Sequence, residues 1–235
     1  ADAIVLGPGL GRGDPRTRFA LALLERARAP VVIDADALQV PGVRSAGAAP
    51  RVLTPHPGEF AAQFPELAEE DRFVAPTAAL ALIGRTGGPS VRRSGQRSGG
   101  QAVRQSARRS GPRSAGPPVR RSALLLKGVP TVIASGSALR VVAAGNPALA
   151  TGGTGDVLAG TIAAWLARGL TPLDAATLGA HTMGRAAELA ARERGARATR
   201  PEDVVAQYPR LWEHWRALPP PEPPVLLRLE PPAVS

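Results

Sequence analysis

"ATGGTGDVLAG", residues 150–160, is the stretch from which the rest of this chain can be read. Gly152, Gly153, Thr154 and Gly155 run straight into Asp156, and an apolar run, "DVLAGTIAAWLARG" (156–169), follows at once. That order is a loop entering a helix. Glycines ahead of a helix let backbone N–H groups converge without Cβ obstruction, and the helix N-terminus adds roughly half a positive charge. The result is an anion hole, with phosphate as its natural occupant. Asp156 either caps the helix or removes a proton from a hydroxyl that attacks a phosphoryl group held by those glycines. The stretch is richer in glycine than capping requires, which favours the second role.

Outward from this stretch, strands alternate with helices. "AIVLG" (3–7) is a short apolar run ending in glycine. Asp14 and Pro15 then supply an N-cap and a first-turn proline for the amphipathic "RTRFALALLERARA" (16–29). "PVVIDADAL" (30–38) and "RVLTPHPGEFAAQF" (51–64) each begin as a buried strand, and the second turns through two prolines into a helix. "ALLLKGVPTVIASGSALRVVAAG" (123–145) reads as two or three strands joined by tight turns. The run after Asp156 is apolar nearly all round, so a buried helix ending at Gly169 is expected. Thr171, Pro172 and Asp174 open the next helix, with the acid at the capping-box position. The fold class is therefore α/β, a mostly parallel sheet with helices on both faces. Ligands of such sheets bind outside the carboxyl ends of the strands. "GPGLGRG", "DAD", "TPHPGE", "KGVPT" and "GGTGD" are all expected there.

The charge balance carries a trap. The chain of 235 residues has a net charge of +10. Ten arginines and no acid lie between Arg85 and Arg121, and without them 19 basic residues face 19 acidic ones. The excess belongs to one Arg/Ser/Gly-rich insert, 85–121, whose composition predicts disorder. It lacks the aromatics on which bases stack, which argues against nucleic acid as the partner. A proline-rich tail, 219–235, reads as an extended appendage to a domain spanning 1–218. The chain has no cysteine, which excludes disulfides and thiol nucleophiles. No leader and no membrane-length apolar run is found, so a cytoplasmic protein without a membrane partner is expected.

The remaining motifs are individually weaker. "GPGLGRG" is neither a Walker A loop nor G-x-G-x-x-G, and stands between a tight turn and a ligand-contacting loop. Lys127 is the one lysine among 28 arginines, as though a compact ammonium were needed there. With Gly128 and Thr131 it forms a turn suited to nucleotide phosphates. His56, between two prolines and close to Glu59, either is held rigidly to meet a ligand or is a loop histidine with no role. Asp34 and Asp36 admit water-mediated Mg²⁺ or a plain strand-end role, and no metal ligand is assigned. His181, on an apolar helix, reads as core.

Together, "VLGPGLG", "VVIDADAL", "LTPHPGEFA", "LLLKGVPTVIA" and "GNPALATGGTGDVLAGTIAAWLARG" resemble the dehydratase that repairs hydrated NADH and NADPH, of the ribokinase-like superfamily. The resemblance implies a three-layer αβα fold. It also implies an activity: ADP, or ATP, phosphorylates the ring hydroxyl of (S)-6-hydroxy-tetrahydro-NAD(P), and phosphate elimination restores the double bond. It implies Asp156 as the catalytic base and a contact to the substrate, and Gly9, Gly11 and His56 facing the substrate. Lys127, Gly128, Val129, Pro130, Thr131 and Gly155 would bind the nucleotide, with Mg²⁺ bridging its phosphates and a homo-oligomer left open.

Two departures from the family pattern set further expectations. Family members carry several dozen residues ahead of the strand that begins here at Ala3. On that comparison the chain is a fragment lacking N-terminal strands, with activity impaired. The insert at 85–121 falls where the family passes almost directly from helix to strand. Two other readings remain: a ribokinase-like kinase for a small alcohol such as a vitamin precursor, and a non-enzymatic basic binding protein acting through the insert.

Overall fold

The computed structural model describes residues 1–44, 47–85 and 121–217; residues 86–120 of the insert and the tail at 219–235 lie outside them. Six strands form one sheet in sequence order: β1 (Ile4–Leu6), β2 (Val31–Ile33), β3 (Arg51–Leu53), β4 (Ser122–Leu126), β5 (Thr131–Ser135) and β6 (Ala138–Val142). Strands β1 to β4 are parallel, while β5 and β6 are antiparallel to their neighbours. The connections explain the change. Parallel neighbours need a crossover, whereas short turns permit only a reversal. Helix α1 (Asp14–Arg26) links β1 to β2, and α2 (Pro57–Gln63) and α3 (Ala75–Arg85) stand between β3 and β4. Only Lys127–Pro130 and Gly136–Ser137 separate the last three strands.

Alternation within the strands assigns residues to two cores. Val31, Ile33, Leu53, Leu124 and Leu126 face one side, packed against α1 to α3 through Leu24, Phe60, Phe64 and Leu80. Val32, Val52, Ala123, Leu125 and Ile133 face the other, covered by α4 (Thr154–Ala167), α5 (Pro172–Arg194), α6 (Pro201–Ala206) and α7 (Tyr208–Ala217). Both faces of the strands are apolar because both are buried, as a helix-covered parallel sheet requires. The expected three layers are present.

Local detail departs from expectation in three places. Gly13, not Asp14, is the N-cap of α1, so Asp14 contributes only its charge to the first turn. Helix α4 begins at Thr154, before Asp156, and one side of it meets solvent through small residues, Gly160, Ala164 and Ala167. Counting alanine and glycine as apolar made that helix look wholly buried. Its end comes where expected: Gly169 (φ 86°) donates to Leu166 O at 2.9 Å and Leu170 to Trp165 O at 3.3 Å, a Schellman stop. At α5 the Thr171 hydroxyl accepts from Asp174 N–H (3.2 Å). The Asp174 carboxylate accepts a hydrogen bond from that hydroxyl (2.6 Å) rather than from the cap backbone N–H. Burial pushes its pKa up, but Thr171 and Arg140 outweigh that and hold it below the usual carboxylate value.

Candidate active site

The site is built where β2, β3 and β4 end. Asp34 follows β2 and is 1% exposed, with Thr54 Oγ1 donating to its Oδ1 at 2.8 Å. Lys127 leaves β4, its backbone N–H bonded to Pro55 O (2.9 Å), and its ammonium meets the same Asp34 oxygen at 2.6 Å. Gly155 lies over this pair: a Cβ there would stand 3.4 Å from Lys127 Nζ and 3.5 Å from Asp34 Oδ2. A buried carboxylate without a partner would be costly, so Lys127 is first of all its counter-ion.

The "GGTGD" turn enters α4 from above. It does not follow a strand directly, since β6 is succeeded by a 3-10 turn, Pro147–Ala150. Asn146 holds that turn, accepting from Ala148 N–H (2.9 Å) and donating to Ala187 O (2.9 Å). Thr154 Oγ1 bonds to the carbonyls of Leu149 (2.8 Å) and Thr151 (2.7 Å), which locks the glycines ahead of it. Gly153 turns the chain into the helix with left-handed backbone (φ 89°). The N–H groups of Gly155 and Asp156 find no acceptor among the described residues. Asp156 occupies the third position of α4, not the cap, and is exposed without a hydrogen-bond or ion-pair partner among them. A cleft of about 610 Å³ opens here, between Gly152, Gly153, Asp156 and Val157 on one wall and Arg200, Pro201 and Val205 on the other.

A second cleft, of about 280 Å³, lies at the ends of β2 and β3, lined by Arg12, Ala35, Asp36, His56 and Glu59. Its polar groups are largely committed. His56 Nδ1 accepts from Glu59 N–H (3.2 Å) while Glu59 Oε2 accepts from His56 N–H (2.9 Å), a capping box for α2. With Nδ1 an acceptor, the proton of the neutral ring sits on Nε2, 3.5 Å from Glu59 Oε1. Asp36 Oδ2 accepts from Gly11 N–H (2.9 Å) and so shapes the "GPGLG" loop. Gly7 in that loop is required by close approach, since a Cβ would fall 1.7 Å from the Asp34 carbonyl oxygen. Nothing lies within 4 Å of a Cβ placed on Gly9.

Asp34 and Asp36 do not converge. Ala35 takes φ 48° between them, sending one carboxylate to Lys127 and the other to Gly11. Among the described residues no three metal-ligating side chains gather. Thr131 Oγ1 donates to Gly128 O (3.2 Å), and Val129 between them is 96% exposed. His181 lines neither cleft; it is half-buried rather than core, and stacks on Trp215 at 5.8 Å. The Lys127–Asp34 pair was not visible in the sequence, although one lysine and one acid, both following buried strands, were its signal.

A glycine-led helix set against strand-end loops of a helix-covered sheet places the chain in a class of α/β folds. A ribokinase-like superfamily protein from Enterococcus faecalis shares this fold, with a TM-score of 0.66 over 92% of this chain and 64% of that one, at 23% identity. Within the class, the chain belongs to the NAD(P)H-hydrate dehydratase family, whose pattern matches residues 1–81 and 119–210. It is 35% identical over 213 residues to the bifunctional NAD(P)H-hydrate repair enzyme of Moorella thermoacetica, covering 88% of this chain and 34% of that protein. The chain thus spans about a third of the curated relatives it matches. The ADP/ATP-dependent NAD(P)H-hydrate dehydratase of Bacillus subtilis, co-crystallised with ATP and Mg²⁺, is similar at a TM-score of 0.64 and 26% identity, over 91% of this chain and 65% of that one. No helix among the described residues is long and apolar enough to cross a membrane.

Proposed function

We propose that this chain dehydrates (S)-6-hydroxy-tetrahydro-NAD(P) to NADH or NADPH at the expense of ADP or ATP, in a cytoplasmic domain spanning residues 1–218. The observation that carries it is Asp156: an exposed carboxylate within one turn of two N–H groups, with neither it nor they partnered among the described residues.

In this reading the terminal phosphoryl group lies against Gly152, Gly153, Thr154 and Gly155, where free N–H groups and the helix dipole meet its oxygens. The ring hydroxyl lies against Asp156. The carboxylate takes the hydroxyl proton as the oxygen bonds to phosphorus and the nucleotide's bridging P–O bond breaks. The new phosphate ester then leaves with its C–O electron pair, assisted by the ring nitrogen, and a proton lost from the adjacent ring carbon completes the double bond. Lys127, Gly128, Val129, Pro130 and Thr131 line the nucleotide. Gly9, Gly11 and His56, the last through Nε2–H, face the nicotinamide side. Mg²⁺ would arrive with the nucleotide and offset phosphate charge. The work asked of the protein is positioning and electrostatics.

The test is recovery of NADH from chemically hydrated NADH, followed by the absorbance of the reduced nicotinamide, with and without ADP or ATP. Nucleotide-dependent recovery by the wild type that disappears in Asp156→Asn, with nucleotide binding retained, is the expected result. Equal recovery by the variant overturns the assignment of the base.

A further inference from the structure

The glycines ahead of α4 stand at the end of a segment that the sheet does not hold. Strand β6 is the edge of the sheet, so residues 143–153, which lead from it to α4, have no further strand to pair with among the described residues. Helix α5 holds them instead. Glu188, towards its C-terminal end, accepts the Gly145 N–H on Oε1 at 2.9 Å. One residue on, Asn146 Nδ2 donates to the Ala187 carbonyl, also at 2.9 Å. The segment lies directly on the helix, for a Cβ on Gly184 would stand 2.4 Å from the Ala144 carbonyl oxygen.

From that seat the geometry passes along the chain. The Asn146 side chain caps the Pro147–Ala150 turn, and Thr154 Oγ1 ties the Leu149 and Thr151 carbonyls to the first turn of α4. Gly152, between these anchors, has open space where a Cβ would be, so its place depends on what holds its flanks. Glu188 lines neither cleft and reaches the site only through backbone. Its Oε2 accepts from Arg185 Nη1 at 2.6 Å, an ion pair with a half-exposed arginine, of the kind that contributes little. The bond from Gly145 N–H to a carboxylate is of the stronger, charge-assisted kind.

We propose that Glu188 is a positioning residue for phosphoryl transfer: by gripping the Gly145 N–H it fixes the segment that carries Gly152, Gly153 and Gly155, and with it the aim of the free N–H groups at the phosphate. The proposal rests on the reading of that turn as a phosphate hole. The competing role is structural, with Glu188 adding stability while the aim of the hole stays the same.

Calorimetric affinities of the full chain for ATP and for AMP, which lacks the terminal phosphoryl group, are read beside kcat and KM for hydrated NADH. Misplaced groups lose rate steeply, so Glu188→Ala should lower kcat about ten- to hundredfold and weaken ATP about three- to tenfold. AMP affinity and KM for hydrated NADH should stay within about twofold. Glu188→Gln keeps an oxygen for the Gly145 N–H and should bring kcat and ATP affinity back to within about threefold of the wild type. Arg185→Ala, which removes only the outer ion pair, should change neither beyond about twofold. A structural role alone predicts a lower melting temperature with kcat and the ATP-to-AMP affinity ratio unchanged, which overturns the proposal. Glu188→Gln as impaired as Glu188→Ala also overturns it, because charge and not the hydrogen bond would then be at work.

Should Glu188→Ala lose its fold by circular dichroism, Asn146→Ser carries the test. Serine still offers an oxygen to the Ala148 N–H but falls short of the Ala187 carbonyl, so kcat and ATP affinity should fall about three- to tenfold with AMP unchanged. Unchanged kcat and ATP affinity there overturn the proposal. If the wild type binds ATP without turnover, the comparison of ATP with AMP decides by the same criteria. A wild-type chain that binds no ATP sinks the phosphate hole and this proposal together. Wild-type binding with an unaffected Glu188→Ala sinks this proposal alone.

Discussion

The two clefts on either side of the Asp34–Lys127 pair are built on opposite plans. At α4 the carboxylate of Asp156 and two backbone N–H groups are left open. At α2 the groups of His56, Glu59 and Asp36 are tied to the backbone. An open carboxylate beside unpaired donors is poised for chemistry and contributes little to stability. Groups that bond each other hold a shape. In the proposed reading, the cleft at α4 is the reactive end and the cleft at α2 the recognition end, with the buried Asp34–Lys127 pair between them.

Four variants sharpen or break that contrast. The largest effect belongs to Asp156→Asn, which should lower turnover about 10²- to 10⁴-fold, as expected for loss of a general base, with little change in melting temperature. A large drop in stability instead would make Asp156 a structural residue and erase the contrast. Lys127→Met leaves Asp34 buried and unpaired, so unfolding should become easier by about 3 kcal/mol in urea denaturation. Indifference there would mean that the pair supports neither cleft. His56→Asn keeps a competent cap, because asparagine is as good an N-cap as most, but removes Nε2–H. Melting should hold while affinity for hydrated NADH falls about tenfold. A loss of melting temperature with intact affinity would confine His56 to capping.

The smallest effect is at His181. Burial, and after it the charge of Arg185, lowers its pKa from the ordinary 6.5, against an opposing pull from Glu188. The native state therefore binds fewer protons than the unfolded chain. Its contribution is complete above 6.5 and is lost as the pH falls through the lower folded value. Thermal melting from about pH 7.5 to about pH 5 should show a steeper decline in the wild type than in His181→Phe, which keeps the stack on Trp215 without the titration.

Much of the frame was legible because its signals are local. Buried runs such as "VVI" and "LLL" are strands, Thr171-Pro172 opens a helix, and the two-residue Gly136–Ser137 link forces a reversal. The entry of "GGTGD" into a helix was legible too, since glycines and an acid ahead of an apolar run mark a helix start. What stayed hidden depends on contacts far apart in sequence. Asp34 and Lys127 are 93 positions apart, and Arg72 reaches Lys127 across 55. Nothing in "EEDRFVAP" marks Arg72, whose guanidinium meets bare Gly128 end-on and donates to the Lys127 carbonyl. His56 shows the converse, for its sequence neighbourhood suggested exposure to a ligand while the capping box with Glu59 engages one face of the ring.

The pairing of β3 with β4, Arg51 opposite Ser122, also has a meaning for how the chain reaches this state. The hairpins of β4, β5 and β6 close over a few residues each, whereas joining β3 to β4 closes a loop of roughly seventy, about half of it residues 86–120. Loop-closure entropy grows only logarithmically, so those residues add about 0.6 kcal/mol to the closure. The consequence is one of order in time: the local hairpins can form early, and the step that unites the two halves of the sheet, and with them Asp34 and Lys127, comes late.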